Sequence, residues 1–423
     1  MDLLEDLRWR GLIHQQTDEI QLREHLASPR VVYCGFDPTA PSLTVGNLVA
    51  LLLLARFQRA GHRPVVLMGG GTGLIGDPSG KSAERPVLSD DQVRANVEGQ
   101  RPIFEGLLSF GGANAASIVN NVEWLGRLGF LQVLRDVGKH FSVNMMIQKD
   151  SVRERLNNRE QGISYTEFSY MLLQAYDFQY LFEQRGVTVQ VAGSDQWGNI
   201  VAGIDLIRRT SRGEAFGLTA PLVTKADGGK FGKSESGAVW LTRDRTSPYA
   251  FYQFWMNTLD ADVPRYLRVF TLLDRATIEA LEAAHLADPG SRRAHQALAS
   301  HMTMLVFGEA GLVEAEAATA ALFSGDVRGL SRDVLDEVFS SAPSSELSRS
   351  LLEGEGMASV DFFAEAGAAK SKREARDLLT AGAFTVNGRR VSVGDRIRAD
   401  WLLHGDIALV RRGKKHWYVV RIR

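Results

Sequence analysis

The first half of the chain alternates short apolar runs with longer mixed segments, a pattern typical of strands separated by helices. The pattern predicts strands at 31–34, 64–68, 187–191 and 218–223, and helices at 48–60 and about 199–210. Strands that alternate with helices form parallel sheets, so we predict an α/β domain. Ligands of such sheets bind at the carboxyl ends of the strands, which directs attention to the loops that follow them.

The second half has a different pattern. From about Pro248 to Leu322 the apolar positions recur at helical spacing. A serine-rich stretch around Pro343 follows, which we interpret as a linker. Beyond it we predict a small module with a helix at 370–381 and strands around 384–386 and 417–420. The dipeptide Asn387-Gly388 is a strong signal for a hairpin turn.

Composition narrows the class of protein. The 423 residues, 44% hydrophobic and 23% charged, are ordinary for a globular protein of two or three domains. Cys34 is the only cysteine, so no intrachain disulfide forms and we expect a reducing cytoplasm. The acidic start has no secretory pattern, and the longest apolar run, 48–55, is too short to span a bilayer. We therefore predict no membrane partner.

Charge is unevenly distributed. Residues 370–423 contain fourteen lysines and arginines against five acidic residues, whereas the whole chain has a net charge of −1. An acidic body with a basic tail indicates a polyanionic partner held at the C-terminal end.

The stretch Lys230-Phe231-Gly232-Lys233-Ser234 follows a turn signal at 226–229. A mobile loop with two lysines, a glycine and a hydroxyl can close over a polyphosphate. A solvated basic turn is the alternative interpretation, since short matches of this kind arise by chance.

A second glycine-rich loop follows the strand at 64–68. Residues 71–76 fit G-x-G-x-x-G, but Pro78 biases Asp77 away from the helix that a dinucleotide site requires, and the spacing to Lys81 does not fit a P-loop. Asp77 can instead bind an ammonium group, and Lys81 and Arg85 can meet phosphates. The alternative is a solvated charged loop.

Two further segments have polar residues where a ligand would lie. Tyr170, Gln174 and Asp177 are spaced four and three apart, which places them on one face of a largely apolar helix. Gly193 and Asp195 join a strand to a helix, where a glycine allows close approach and a carboxylate can bind a ribose. Asp195 as a simple helix cap remains an alternative.

Taken in order, these segments resemble the bacterial tyrosine–tRNA ligases, a family of class I aminoacyl-tRNA synthetases. The resemblance covers essentially the whole chain. Besides the 230–234 loop, it rests on the stretches 35–40, 73–78, 138–144 and 194–199, and on 371–376 and 386–388 in the tail.

The resemblance implies three domains. A Rossmann-type parallel-sheet catalytic domain with a dimerisation insertion would occupy 1–225. The 230–234 loop and a helical anticodon-region domain would occupy 226–325. A linker at 326–350 would lead to a small S4-like α+β RNA-binding domain at 351–423.

The implied reaction has two steps. The carboxylate of L-tyrosine attacks the α-phosphate of ATP, which is accompanied by Mg²⁺, and the tyrosyl group then passes to tRNA(Tyr). The family is homodimeric. We expect no tightly bound cofactor and assign no metal-binding residue.

Positions that match the family's motifs receive roles by resemblance. Tyr33 and Asp177 would hold the phenol hydroxyl, and Asp77, Tyr170 and Gln174 the amino group, with Gln196 near the tyrosine. On the ATP side the residues would be Gly46, Gly193, Asp195 and Lys233. The catalytic set would be Thr39, Thr44, Asn47, Lys81, Arg85, Lys230, Lys233 and Ser234.

One motif departs from the family pattern. The signature His-x-Gly-His is Thr44-Val45-Gly46-Asn47 here, and Ala192 replaces a glycine. Asn47 keeps a neutral N–H donor, whereas Thr44 is shorter than histidine and has a single hydroxyl. We therefore expect an active enzyme with a slowed first step.

Two alternatives remain open at the level of sequence. One is a slower or specialised paralogue that activates tyrosine outside ordinary translation. The other is an RNA-binding homologue that has lost catalysis, against which the retention of Lys81, Arg85, Lys230 and Lys233 argues.

Overall fold

The computed structural model describes residues 2–79, 88–149, 152–153, 156, 162–229, 231–234, 237–340, 342–413 and 416–423. The chain divides into two compact units. The first comprises Met1–Thr246 and Phe251–Phe307, and the second comprises Ser247–Ala250 and Gly308–Arg423.

A six-stranded sheet forms the centre of the first unit. Its strands are β1 (Gln15–Gln16), β2 (Val31–Phe36), β3 (Arg63–Met68), β4 (Ser117–Asn120), β5 (Val187–Gly193) and β6 (Phe216–Ala220). They lie in the order β1-β6-β5-β2-β3-β4, with β2 to β6 parallel and the short β1 antiparallel at the edge. The α/β prediction is confirmed, although the last predicted strand ends at Ala220 rather than at 223.

Helices connect and flank these strands. They are α1 (Leu3–Trp9), α2 (Glu19–Leu26), α3 (Leu48–Arg59), α4 (Asp90–Leu107), α5 (Val122–Leu125), α6 (Phe130–Gln132), α7 (Val143–Ile147), α8 (Tyr165–Arg185) and α9 (Trp197–Thr210). The helix α3 is apolar on almost all of its faces, and Leu51 to Leu54 are fully buried. The helix packs against β2, β3 and β5.

A small hairpin and a helical region complete the first unit and lead into the second. They consist of β7 (Lys233–Ser234), β8 (Gly237–Ala238), α10 (Pro248–Met256), α11 (Val263–Phe270), α12 (Arg275–Ala287) and α13 (Arg293–Ser324). The helix α13 is broken at Gly308, whose φ of 70° is left-handed, and the two units divide at this residue.

The second unit contains a five-stranded sheet in the order β12-β11-β14-β15-β9. Its elements are α14 (Arg332–Val338), β9 (Ser344–Leu347), β10 (Met357–Ala358), α15 (Ser359–Glu365), α16 (Lys372–Thr380), β11 (Phe384–Val386), β12 (Arg389–Arg390), β13 (Arg396–Ile397), β14 (Ile407–Arg412) and β15 (His416–Ile422). Asn387 and Gly388 form the predicted hairpin turn between β11 and β12, both with positive φ.

The interpretation of 326–350 as a linker is wrong. Val334 and Leu335 of α14 are buried, and β9 pairs in parallel with β15. Strand pairing uses backbone groups, so a serine-rich composition does not prevent it. The predicted domain end at 325 also differs from the division at Gly308, because residues 251–307 group with the first unit. Within the described part of the chain, no helix has the length and apolar character needed to cross a membrane.

Candidate active site

A cavity of about 480 Å³ opens where β2 and β5 end, beside the start of α3 and one face of α8. Parallel strands that end side by side create this position. Twelve of the predicted site residues line it: Tyr33, Thr39, Thr44, Gly46, Asn47, Asp77, Tyr170, Gln174, Asp177, Gly193, Asp195 and Gln196. Lys81, Arg85 and Lys230 lie outside the described residues, and Lys233 and Ser234 are described only as strand β7.

Asp177 is the most deeply buried carboxylate of the cavity, with 1% of its surface exposed. Trp124 Nε1 donates to its Oδ1 at 2.7 Å, and Asn121 Nδ2 donates to its Oδ2 at 2.9 Å. Burial raises the pKa of Asp177 to about 7, although these two donors act in the opposite direction. Each carboxylate oxygen can accept a further hydrogen bond, although burial makes the ionised form unfavourable in free energy.

Tyr33 is fully buried near Asp177. Burial, and then the charge of Asp177, raises the pKa of Tyr33, so its hydroxyl stays protonated. Among the described residues that hydroxyl has no hydrogen-bond partner. Because buried polar groups are normally paired, the arrangement indicates a ligand hydroxyl at this depth.

Two other carboxylates are fixed by hydrogen bonds at the cavity. Asp37 accepts from Thr72 Oγ1 at 2.8 Å and from the Tyr170 hydroxyl at 2.9 Å. Asp77 accepts from the Ser79 amide at 2.9 Å and from Gln196 Nε2 at 2.7 Å. With Asp177 and Asp195, four carboxylates line one cavity, which favours a cationic group such as an ammonium.

A chain of side-chain amides connects the two sides of the cavity. Asn199 Nδ2 donates to Gln174 Oε1 at 3.0 Å and to Gln196 Oε1 at 3.1 Å. Gln196 Nε2 in turn reaches Asp195 Oδ2 at 3.1 Å as well as Asp77. These bonds fix the orientation of the Gln174 and Gln196 amides.

The loop after β5 leaves little space for a side chain at Gly193. A Cβ at Gly193 would lie 2.7 Å from Asp195 Oδ1 and 3.4 Å from Leu222 Cδ2. Asp195 lies inside a single 3₁₀ turn, and the residues at the cap positions of that turn and of α9 are Gly193 and Gln196. Asp195 is therefore not the N-cap residue of α9, and it lines the cavity.

The segment Thr44–Asn47 precedes α3 and forms an internal pair. The Thr44 amide and hydroxyl donate to Asn47 Oδ1 at 3.0 and 3.1 Å. The amide nitrogen of Asn47 is then the group left to donate beside the helix N-terminus, where anions bind well. In this arrangement the single hydroxyl of Thr44 donates to Asn47.

The same segment is tied to the chain that follows the 230–234 loop. Val45 N donates to Val239 O at 3.0 Å, and Thr44 forms a β-bridge with Trp240. The Val239 amide donates to Gly232 O at 3.1 Å. The two motifs are therefore adjacent in the fold.

Sequence reasoning missed several residues of the site, among them Asp37, Asn121, Trp124 and Gln190. Asn121 directly follows β4, so the rule that ligands lie after parallel strands could have found it. Gln190 pairs with Tyr33 across β5 and β2, and its buried Oε1 has no partner in the described part of the chain. Trp124 has no comparable signal.

Comparison with protein families gives two matches. Residues 26–324 match the model described as tRNA synthetases class I (W and Y). Residues 335–420 match the Tyrosine--tRNA ligase SYY-like C-terminal domain.

Curated relatives match over the full length. The chain is 52% identical to a tyrosine–tRNA ligase of Roseiflexus castenholzii, with 99% of each chain covered. It is 51% identical to that of Geobacillus kaustophilus, with 100% of each covered. A C-terminally truncated mitochondrial tyrosyl-tRNA synthetase of Aspergillus nidulans has a similar structure, with a TM-score of 0.69, 30% identity, and 76% of this chain and 94% of that chain covered. The chain thus belongs to the class I aminoacyl-tRNA synthetases, in the family of the tyrosine–tRNA ligases.

Proposed function

We propose that this protein activates L-tyrosine with ATP and transfers the tyrosyl group to tRNA(Tyr). The observation that carries the choice of amino acid is the fully buried hydroxyl of Tyr33 next to Asp177, which has no partner among the described residues. A phenol bound there would donate its proton to the carboxylate and accept one from Tyr33. A phenylalanine ring would leave both groups unpaired, which costs free energy.

The amino group of tyrosine binds at the opposite end of this pocket. Asp77, Tyr170 and Gln174 would hold it, with Gln196 nearby. The support is the pair of fixed carboxylates, Asp37 and Asp77, since an ammonium placed between them gains charge-assisted hydrogen bonds. The aromatic ring then lies between Asp77 and Asp177, and the carboxylate is directed towards the nucleotide.

ATP, which brings Mg²⁺ with it, would occupy the rest of the cavity. Gly193 and Asp195 would bind the ribose, and Gly46 would allow the nucleotide to approach α3. Thr39, Asn47, Lys81, Arg85, Lys230, Lys233 and Ser234 would act on the phosphates, and Thr44 would hold Asn47 in place. The nucleophile is already a carboxylate, so the chain supplies positioning and charge, not a general base.

Tyrosine-dependent exchange of pyrophosphate into ATP tests activation without any tRNA. We expect exchange that requires tyrosine and is lost in Asp177→Ala. Asp205→Ala, at an exposed ion pair of α9, serves as a control that should keep activity. Exchange that is equally fast in both variants would contradict the proposal.

The transfer step would use the second unit, which we propose is S4-like and binds tRNA. Its support is the excess of basic residues after Lys370, several of them exposed on α16 and the β11–β12 hairpin. Arg389 and Arg411 also lie against the rings of Trp401 and Trp417. Basic surfaces with aromatic rings bind single-stranded and looped RNA. The test is transfer of labelled tyrosine to tRNA(Tyr).

We also propose that the protein is a homodimer. An apolar surface between 122 and 147 includes Phe130, Leu131, Val143 and Met145, which are 67%, 79%, 57% and 58% exposed. Exposed apolar clusters of this kind mark protein interfaces, and a second copy would bury it. Sedimentation should give a dimer for the parent and a monomer for Leu131→Glu, whereas a dimeric variant would place the interface elsewhere.

The compartment is the cytoplasm, where ATP and tRNA are available and the buried free thiol of Cys34 stays reduced. Neither the specialised paralogue nor the RNA-binding homologue is favoured, because the relatives at about 50% identity over the whole chain are tyrosine–tRNA ligases.

A further inference from the structure

A second cluster of chemically active side chains lies in the helical region, away from the cavity. Among the described residues, Asp260, His285 and His295 form the one group of three that offers convergent metal ligands. One ligand atom from each lies within 4.8 Å of the others. Asp260 belongs to the loop between α10 and α11, His285 to the end of α12, and His295 to the first turn of α13.

Both imidazoles are removed from water. His295 is fully buried and His285 is 8% exposed, whereas the Asp260 side chain is 61% exposed. His285 Nε2 lies 2.9 Å from the Asp260 carbonyl. His295 Nε2 lies 3.1 Å from the Thr258 carbonyl and 3.2 Å from Asp260 Oδ1. Both histidines therefore contact the 258–260 loop, to which Asp260 belongs.

The second nitrogen of each ring is unsatisfied. His285 Nδ1 and His295 Nδ1 are buried and have no hydrogen-bond partner among the described residues. Two such nitrogens in one cluster, with the ring centroids 5.4 Å apart, are unusual because buried polar atoms normally find a partner. Each ring thus has one nitrogen near a backbone carbonyl and one buried nitrogen without a partner among the described residues.

We propose that Asp260, His285 and His295 form a Zn²⁺ site, with a fourth position open to water on the exposed side of Asp260. Two imidazoles and one carboxylate are a ligand set that zinc favours, whereas Mg²⁺ prefers oxygen ligands. The ion would join the 258–260 loop to α12 and α13, and so stabilise the helical region.

The test uses the full-length, tag-free protein and Co²⁺ as a visible substitute for Zn²⁺. One equivalent of Co²⁺ should give the absorption bands of a four-coordinate ion, and Zn²⁺ should displace it. Asp260→Ala and His285→Gln should lose the bands. Asp244→Ala and His14→Gln, which alter exposed residues outside the cluster, should keep them.

A thermal measurement gives a second readout. Zn²⁺ should raise the unfolding temperature of the parent and leave that of Asp260→Ala unchanged, since a ligand that binds only the folded state stabilises it. Asp260 is exposed, so this variant should fold even if His285→Gln does not. Absence of bands in the parent, or bands that persist in Asp260→Ala, would overturn the proposal and leave the histidines as carbonyl donors only.

Discussion

At the scale of single residues, the cavity depends on a carboxylate that burial makes costly to ionise. Trp124 and Asn121 partly offset that cost for Asp177, and a ligand hydroxyl would complete the set. The folded-state pKa of about 7 lies above the ordinary value of 3.8. The contribution of this group to stability therefore falls as the pH rises from about 4 to 7, because the folded chain holds the proton more tightly.

Tyrosine binding should weaken as the pH falls through 7. Ionised Asp177 accepts the phenol proton in a stronger hydrogen bond than the neutral carboxyl does, and a pKa of about 7 leaves roughly a tenth of the carboxyl ionised at pH 6. The affinity should be about tenfold lower at pH 6 than at pH 8 by equilibrium dialysis. Phenylalanine should show no such dependence, and a flat profile for tyrosine would exclude Asp177 as its acceptor.

Restoring histidine at Thr44 should speed adenylate formation in single-turnover measurements. One preorganised donor to a transition-state oxyanion increases the rate by a factor on the order of 10²–10³. We expect Thr44 and Asn47 together to supply only part of that factor. Thr44→His with Asn47→His should gain more than Thr44→His alone, because Asn47 loses its hydroxyl partner in the single variant.

Tyrosine affinity is the control for these variants and should stay unchanged. If neither variant forms adenylate faster than the parent, the site is built around the Thr44–Asn47 pair, and the expected slow first step is wrong.

At the scale of elements, α3 links the Thr44–Asn47 side of the cavity to the helical region. It starts at Leu48, directly after Asn47. Near its end, the buried Arg56 donates through Nη2 to the carbonyls of Val269 and Thr271 at 2.9 and 2.8 Å. Burial lowers the pKa of Arg56 to about 9. These carbonyls end α11, where a positive charge is favourable.

Arg56→Met should lower the free energy of unfolding by about 1–3 kcal/mol, because it leaves the Val269 carbonyl without its charged donor, whereas the Thr271 carbonyl keeps Arg10 Nη1 at 3.2 Å. Arg59→Met is the matched control on the same helix. Arg59 is exposed and reaches one carbonyl, that of Leu272, so the loss should stay below about 1 kcal/mol. Urea unfolding of both variants measures the difference, and equal losses would contradict this role for Arg56.

Sequence patterns predicted the elements around the site better than the contacts inside it. Apolar runs located β2, β3 and β5, and the spacing of Tyr170, Gln174 and Asp177 placed them on one helix face. The serine-rich strand β9 was missed because its pairing with β15 uses backbone groups alone. Which side chain meets Asp177 depends on how β4 and α8 pack, and periodicity contains no information about that.

At the scale of the whole molecule, the excess of basic over acidic residues lies in 370–423, the C-terminal part of the second unit. Arg373→Glu with Arg376→Glu, both exposed on α16, should weaken tRNA charging and make it less sensitive to salt, because fewer phosphate contacts remain. Arg94→Glu with Arg101→Glu on α4 is the control pair. The α16 variant should have a higher KM for tRNA and unchanged pyrophosphate exchange. If both variants charge tRNA equally well, α16 is not part of the surface that binds tRNA.

The most direct test of the account compares tyrosine with phenylalanine in ATP–pyrophosphate exchange by the parent and by Asp177→Ala. Sites built to bind a substrate hydroxyl, those of tyrosine-activating enzymes among them, discriminate by a factor on the order of 10⁴ to 10⁵, and kcat/KM of the parent should favour tyrosine on that general scale. Asp177→Ala should lose most of that preference, because its kcat/KM for tyrosine should fall. A parent that does not discriminate, or a variant that discriminates as well as the parent, would contradict the central claim that the buried Tyr33–Asp177 pair selects tyrosine.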